Sequence, residues 1–231
     1  MAFYSNPKIV TDGLTLLLDA GSENSYPGSG TTWTDLSGNG YDATLSAEAI
    51  GTVSASLDTM AFNSTDQYII DDAASSELNV DYFTVEMDLL PIVDSYAGGP
   101  GGRVIWSTHT STANRWIFFV VPDTGQIAHI STGTITTNDV AGTLGTTWKK
   151  VHFIRNGTTT FDIYMNGVYN ASGTLPDYAD NNQFSIGQEW DSATPSDFYY
   201  GQIAGIKIYN KALTQTEITQ NFNAQRNRFG I

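Results

Sequence analysis

Apolar and polar side chains alternate with a period of two along much of this chain, and this pattern limits its fold more than any other feature. The alternation runs through residues 83–89 and again through residues 161–165. It places every second side chain on one face, which predicts half-buried β-strands. Residues 116–121 are apolar at every position, which is typical of a central strand covered on both faces.

Turn-forming segments separate these runs. Asn156-Gly157 and Asn166-Gly167 tolerate the positive φ values that tight hairpins require, and Asp123-Thr124-Gly125 indicates a further turn. Many short strands with regular turns predict an antiparallel sandwich or barrel. The Gly-rich residues 98–102 lie between two strand patterns, so we interpret them as a surface loop and not as a linker between domains.

One helix is expected near the C-terminus. Thr214 and Glu217 have the spacing of a capping box, in which each residue hydrogen-bonds to the backbone of the other. Ile218 and Phe222 then lie four residues apart on one helix face, which would dock on the sandwich.

We expect a single domain over residues 1–231, with residues 1–12 as an N-terminal arm and residues 214–231 as a helix and tail. Along the closing strand, the apolar positions change parity near Ala204-Gly205. This change predicts a β-bulge, or a strand that is buried on both faces.

Composition excludes several functions. Ten basic and 24 acidic residues give a net charge of −14 at pH 7, which argues against binding to nucleic acid. The chain has no cysteine, so disulfides and thiolate metal sites are excluded. No apolar run approaches the roughly 20 residues of a spanning helix, and the N-terminus does not resemble a secretory signal. We therefore expect no membrane insertion, and release from a cell by lysis or another signal-independent route.

Several motifs, taken in order, resemble those of one fold family. They are W-T-D-L-S-G-N-G at residues 33–40, the strand at residues 83–91, Y-M-N-G at residues 164–167 and S-I-G at residues 185–187. They resemble motifs of laminin-G-like, concanavalin A-like jelly rolls. The resemblance implies an all-β fold, a concanavalin A-like jelly-roll β-sandwich with a short C-terminal helix. In the first motif, short polar side chains would bond nearby amides and fix a turn.

A narrower resemblance concerns virion proteins of tailed phages, especially marine ones. It is carried by N-P-K-I-V at residues 6–10, L-D-A-G at residues 18–21 and Q-N-F-N-A at residues 220–224. The resemblance implies a non-catalytic virion structural or adhesion protein of the tail, fibre or capsid. Its partners would be other virion proteins, copies of itself and glycans of the host surface. A purely structural capsid-decoration protein without ligand is an open alternative.

A glycoside hydrolase is a second alternative. Related jelly rolls include enzymes with a Glu-x-Asp-x-x-Glu strand, and Glu86 and Asp88 match its first two carboxylates. Retaining hydrolysis needs two carboxyl groups roughly 5 Å apart, and alternation places this pair on one strand face. Pro91 stands where the third carboxylate would be, so we interpret the two residues as part of a solvated or hydrogen-bonded outer face.

Glycan-binding candidates are aromatic and polar residues in predicted loops, because sugar rings stack on flat aromatic rings while polar groups bond the hydroxyls. Trp190 and Asp191 share one loop, Tyr96 lies beside the Gly-rich segment, and Asn114 and Arg115 lie in another loop. The other four tryptophans follow strand patterns, so we expect them in the core: Trp33, Trp106, Trp116 and Trp148.

Calcium is the one candidate cofactor, because it prefers oxygen ligands and the chain is rich in Asp and Asn. The candidate ligands are Asp180, Asp191 and Asp197 in the late loops, together with Asp71 and Asp72. The chain has no EF-hand spacing, so acidic loop residues that only increase solubility are the competing interpretation.

Overall fold

The computed structural model describes residues 7–46, 59–94, 103–111, 114–131, 134–175, 183–191 and 194–231. Within these ranges the chain forms seventeen β-strands, a 3-10 helix (Ala74–Leu78) and one α-helix, α1 (Gln215–Phe229). The strands are β1 (Leu14–Asp19), β2 (Thr32–Trp33), β3 (Ala43–Leu45), β4 (Met60–Asn63), β5 (Ile69–Ile70), β6 (Tyr82–Pro91), β7 (Arg103–Ser111), β8 (Asn114–Val120), β9 (Gln126–Ser131), β10 (Thr134–Thr143), β11 (Lys149–Asn156), β12 (Thr160–Met165), β13 (Val168–Thr174), β14 (Phe184–Ile186), β15 (Glu189–Asp191), β16 (Thr194–Ser196) and β17 (Tyr200–Tyr209).

Two antiparallel sheets form a sandwich. The seven-stranded sheet has the order β1-β17-β6-β11-β12-β13, with β4 paired to β17 beside that path. The eight-stranded sheet has the order β10-β9-β8-β7-β14-β5-β3-β2, and β15 and β16 form a separate hairpin. Neighbours in each sheet are often distant in sequence, as in a jelly roll. The predicted all-β sandwich is confirmed.

Side chains from both sheets meet in one aromatic core. Trp106 stacks on Phe118 with ring centroids 4.7 Å apart, and Phe118 lies 4.9 Å from Phe153 of the opposite sheet. β8 is buried from Trp116 to Val120, which confirms a central strand covered on both faces. Three of the four tryptophans expected in the core are fully buried there: Trp33, Trp106 and Trp116. The fourth, Trp148, is 7% exposed and belongs to a separate apolar cluster with Phe229.

The closing strand β17 contains the predicted bulge. Its pairing register with β6 shifts between Ile203 and Gly205. In a regular strand, Ile206 and Ile208 would face away from Ile203, because an even number of residues separates each of them from Ile203. The extra residue of the bulge brings all three onto the same core face. It also places Lys207 on the outer face, opposite Glu86 of β6.

The capping box predicted for α1 is present. The Thr214 hydroxyl accepts a hydrogen bond from the Glu217 backbone N–H, and the Glu217 carboxylate accepts one from the Thr214 N–H, at 3.4 and 2.8 Å. Within the region expected to hold a helix and tail, α1 continues to Phe229 and ends at Gly230, which has a φ of 66°. Phe229 packs against Trp148 with ring centroids 4.8 Å apart, and this contact holds the last turn.

α1 lies on the outer face of the seven-stranded sheet and contacts it through two apolar clusters. At one end Ile218 is fully buried, which confirms its predicted docking, and it clusters with Val10, Ile154, Tyr209 and Leu213. At the other end Phe229 clusters with Trp148 and Ala204. Charged side chains occupy the sheet surface between these clusters. No helix in the described ranges is long and apolar enough to cross a membrane.

The W-T-D-L-S-G-N-G segment is fixed by one carboxylate. Asp35 Oδ1 accepts hydrogen bonds from the backbone N–H groups of Leu17 and Ser37, at 2.9 and 2.8 Å. Its Oδ2 accepts from the N–H groups of Gly40 and Tyr41, at 3.1 and 3.2 Å. Asp35 therefore joins the turn to β1, and the predicted turn-fixing role of this motif is confirmed.

Candidate functional site

Glu86 and Asp88 lie next to each other on the outer face of β6, but neither carboxylate meets solvent. Their residues are 0% and 1% exposed, because α1 covers this part of the sheet. The expected solvated face is therefore wrong, whereas the expected hydrogen bonding is present. The sequence pattern gave the correct face of the strand but could not show that a helix from the far end of the chain covers it.

Glu86 is the centre of a buried polar network. Its Oε1 accepts hydrogen bonds from Lys150 Nζ of β11 and Lys207 Nζ of β17, both at 2.8 Å. Its Oε2 accepts one from Asn221 Nδ2 of α1 at 2.6 Å and lies 3.1 Å from His152 Nε2. Three strands and the helix therefore meet at one carboxylate.

Two further side chains complete this network. Asp88 Oδ1 lies 2.7 Å from Lys150 Nζ, which gives that lysine two carboxylate partners. Gln225 of α1 accepts hydrogen bonds from Lys150 and Lys207, at 2.9 and 2.7 Å. Two carboxylates face two ammonium groups, so their formal charges balance without a contribution from His152.

The network keeps both charge types ionised. Burial alone would raise the pKa of Glu86, but the ammonium groups of Lys150 and Lys207 and the imidazole of His152 lower it well below its usual value. Burial would lower the pKa of Lys150, but Asp88 and Glu86 raise it. A carboxylate with a lowered pKa holds no proton to donate near neutral pH. Glu86 is therefore unsuited to the role of the protonated acid in glycoside hydrolysis.

A group of three aromatic side chains lies at the rim of the sandwich. Trp190 of β15 meets the ring of Tyr68 edge-on, with centroids 6.1 Å apart and planes at 71°. Phe198 stacks on Tyr68 with centroids 6.2 Å apart and planes at 30°. All three side chains are partly exposed. We call Tyr68, Trp190 and Phe198 the rim aromatic group.

A polar turn precedes Tyr68 in the sequence. The segment before Tyr68 is a tight turn with Ser64 at a φ of 69°. Asn63 Nδ2 donates to Asp66 Oδ1 at 2.9 Å, and both side chains are exposed. The turn thus exposes amide and carboxylate groups within five residues of Tyr68 in the sequence, and sugar binding combines such groups with aromatic rings.

Arg103 stabilises the base of the rim aromatic group. Its guanidinium forms an ion pair with Asp94 and donates to the backbone carbonyl of Phe198 at 3.4 Å. It also lies over the ring of Tyr200, 5.7 Å from the centroid. The Arg103 side chain is only 6% exposed, so it supports the loops from below.

The glycan candidates from the sequence fall into separate places. Trp190 belongs to the rim aromatic group, and Asp191 ends the same strand. Asn114 and Arg115 begin β8, opposite Ser111 and His109, at the other end of the β7–β8 hairpin from Arg103. Tyr96 lies outside the described residues.

Tyr68 and Phe198 were not predicted from the sequence. Tyr68 directly precedes the short strand β5, and Phe198 precedes β17, so both resemble ordinary strand-end residues. Only the fold brings these two residues into one group with Trp190. In the sequence, Tyr68 lies more than a hundred residues before Trp190.

The calcium candidates are not grouped around a metal position in the described part of the chain, where no three Asp, Glu or His residues are placed to hold an ion. Asp197 forms a turn between β16 and β17 with a φ of 49°, and its carbonyl accepts from the Val104 N–H. Asp191 belongs to β15, and Asp180 lies outside the described residues.

Asp71 is buried, and the interpretation as a solubilising loop residue is wrong for it. It is 3% exposed, its Oδ1 accepts from the Ala74 N–H at 3.0 Å, and its Oδ2 has no hydrogen-bond partner in the described structure. Burial, with a smaller contribution from the charges of Asp35 and Asp72, raises the pKa of Asp71 from 3.8 to about 7.

Replacement of the central carboxylate should strongly destabilise the protein. Glu86→Gln leaves Lys150 and Lys207 buried with less compensating charge, so the free energy of unfolding should fall by about 3–5 kcal/mol. Urea denaturation at pH 7 measures this change. The matched control is Asp12→Asn, which breaks a pair with Lys211 at an 85% exposed side chain and should cost less than about 1 kcal/mol. Equal losses in the two variants would contradict a stabilising network.

Asp71 should make stability depend on pH. Between pH 3.8 and about 7 the folded state binds a proton that the unfolded state has lost, so the free energy of unfolding falls as pH rises through this window. Asp71→Asn removes this dependence. At pH 8 the free energy of unfolding of the variant should exceed that of the wild type by at most about 4 kcal/mol, since one pKa unit corresponds to about 1.4 kcal/mol. Near pH 4 the two free energies should converge. Urea denaturation along a pH series tests this, and a constant difference would argue against it.

Comparison with known proteins now identifies the fold family. Residues 63–219 match a laminin-G-type family model, described as the concanavalin A-like lectin/glucanases superfamily. No curated protein sequence matches the chain.

Solved structures agree in fold at low sequence identity. The binding domain of botulinum neurotoxin serotype D is 15% identical, with a TM-score of 0.66, over 94% of this chain and 53% of that one. The binding domain of botulinum neurotoxin DC in complex with SialylT is 13% identical, with a TM-score of 0.63, over 93% and 52%. Trypanosoma rangeli sialidase in complex with the inhibitor DANA is 16% identical, with a TM-score of 0.67, over 97% and 36%.

The chain thus spans about half of the toxin domains and about a third of the sialidase. At these identities the likeness concerns the fold, which binding domains and a glycosidase both contain. Because the family model covers more than half of the residues, this chain belongs to the concanavalin A-like lectin/glucanases superfamily.

Proposed function

We propose that this chain is a non-catalytic glycan-binding protein of a tailed-phage virion, which uses the rim aromatic group to attach to carbohydrates of the host surface. The observation that carries the proposal is the convergence of Tyr68, Trp190 and Phe198 from three segments into one partly exposed group. Binding residues are often held at the edge of a rigid scaffold. Here Tyr68 directly precedes β5, Phe198 shortly precedes β17, and Trp190 is the middle residue of β15.

The chemistry of this group suits a sugar ring. Flat aromatic faces contact the C–H faces of a pyranose, and polar groups at their edge bond its hydroxyls. Asp66 offers the second oxygen of its carboxylate as an acceptor. The Asn63 amide, which already donates to Asp66 and accepts from the Thr65 N–H, offers its second N–H. Both side chains are exposed, and Asp66 precedes Tyr68 by two residues in the sequence.

We propose the absence of catalysis because the carboxylate pair that the strand pattern predicted is buried and paired. Glu86 and Asp88 lie beneath α1 and are paired with lysines, so a polysaccharide cannot reach them without removal of the helix. Pro91 also takes the place of the third carboxylate. The structural neighbours include both binding domains and a sialidase, so the fold alone does not decide this point.

The virion assignment rests on the phage-like segments at residues 6–10, 18–21 and 220–224. The glycan site adds a physical reason for such a location. A single sugar site of this type binds weakly, and many copies on one particle convert weak contacts into strong attachment. We therefore expect copies of the chain to assemble with one another or with other virion proteins.

Glycan binding should depend on the rim aromatic group. Trp190→Ala and Tyr68→Ala should each weaken binding on a glycan array at least tenfold, which corresponds to about 1.4 kcal/mol. Tyr169→Ala is the matched control, because this tyrosine is 50% exposed on β13 and belongs to another surface. Its binding should equal that of the wild type.

The glycan array and a reducing-sugar assay together separate the alternatives. Failure of the folded wild-type protein to bind any glycan would favour the purely structural alternative. Release of reducing sugar from algal or bacterial polysaccharides by the wild type would favour the hydrolase. Equal binding by all variants would exclude the rim aromatic group as the site.

Location on a particle is tested by mass spectrometry of virions purified from lysates of the producing host. The proposal expects the chain at a constant copy number per particle through successive density gradients. Recovery only in the soluble fraction of the lysate would contradict the virion assignment but not the glycan site.

A further inference from the structure

Lys150 is held between two carboxylates in the buried network beneath α1. Its Nζ lies 2.7 Å from Asp88 Oδ1 and 2.8 Å from Glu86 Oε1. All three side chains are at most 2% exposed, so these groups are shielded from bulk water. The site therefore combines one amine and two carboxyl groups in a dry environment.

The amine is close enough to Asp88 to react with it. Lys150 of β11 and Asp88 of β6 are direct cross-strand partners, so the sheet holds the two side chains together. A carboxyl C–O bond is about 1.2 Å long, so the carboxyl carbon of Asp88 is at most about 4 Å from Nζ. Groups held this close react without the entropic cost of an encounter in solution.

Asp88 is better suited than Glu86 to be the acyl group. Both oxygens of Glu86 accept hydrogen bonds, from two lysines and from Asn221, and conversion to an amide would disturb these contacts. Asp88 Oδ1 has no hydrogen-bond partner among the described residues and meets Lys150 as an ion pair. Asp88 can therefore lose its charge at smaller cost, while Glu86 remains as a base beside the amine.

We propose that Lys150 and Asp88 become joined by an amide bond between Nζ and the side-chain carbonyl carbon as the protein matures. The N–C bond forms, one C–O bond of Asp88 breaks, and one water molecule leaves. The ammonium loses two protons and the departing oxygen gains both. Glu86 carries one of them between the two atoms and ends ionised, as it began, so the step needs no co-reactant.

Burial favours the product of this reaction. One positive and one negative charge disappear from a site where charges are costly, and Lys207 and Glu86 remain as a balanced pair 2.8 Å apart. Lys150 and Glu86 are both ionised before the reaction, so the neutral amine is a minor form. We therefore expect the bond to form slowly after folding, over hours or days.

The bond would give this chain a covalent tie that it cannot obtain from disulfides, since it has no cysteine. It would join β6 to β11 across 62 positions in the sequence and restrict the unfolded chain, as a disulfide does. The proposal concerns the interior of the sandwich and is independent of glycan binding.

Intact-mass spectrometry of the full chain, sampled over several days at pH 8 after purification, tests the proposal. The wild type should become lighter than its sequence by one water molecule. Digestion should then give a single branched peptide that contains Lys150 and Asp88. A wild-type chain that keeps its full mass, or that loses water without this branched peptide, would overturn the proposal.

Two variants and a matched control test the assignment. Lys150→Arg keeps the positive charge but removes the amine, and Asp88→Ala removes the acyl group, so both should keep their full mass. Lys211→Arg is the control. Lys211 Nζ lies 2.6 Å from Asp12, but the two side chains are 30% and 85% exposed, so this variant should lose water as the wild type does. Water loss from Lys150→Arg or Asp88→Ala, or its absence from Lys211→Arg, would contradict the assignment. The branched peptide of the wild type identifies the bond even if a variant folds poorly.

Discussion

The contact between the Glu86 carboxylate and its partners is the interaction on which the arrangement of this molecule depends most. It joins β6 to β11 and β17 through two lysines, and it joins all three strands to α1 through Asn221. Buried charges are costly unless they are paired and hydrogen-bonded, so the helix and the strands must keep their positions for the network to exist. This network lies on the strand face that carries Glu86 and Asp88, and α1 covers that face.

The local parts of the fold were predictable because their causes are local. Alternation over residues 83–89 fixes which side chains of β6 enter the core, and the Thr214–Glu217 box fixes the start of α1. The change of parity at Gly205 predicts the bulge in β17 for the same reason. The sequence did not show where α1 ends within residues 214–231, because the contact between Phe229 and Trp148 joins residues that are 81 positions apart in the sequence.

The two sites differ in how much of each the sequence could show. The parity of β11 places Lys150 and His152 on one face, but their positions opposite Asp88 and Glu86 depend on strand pairing across more than sixty residues. Trp190 stood out because its neighbours in the sequence are polar, although the structure places it in the short strand β15. Tyr68 and Phe198 join it only through the folded topology. Burial of Asp71 was equally hidden, since nothing in its neighbourhood in the sequence distinguishes it from exposed Asp72.

The central claim is that the rim aromatic group, and not the strand face beneath α1, is the surface that meets carbohydrate. A crystal structure of the protein with an oligosaccharide, selected for the tightest binding in solution, tests this claim most directly. The account predicts a sugar ring against Trp190 and Tyr68, with α1 in place over Glu86. A sugar bound at Glu86 and Asp88 with α1 displaced, or at a surface that contains none of the three rim aromatic residues, would contradict it.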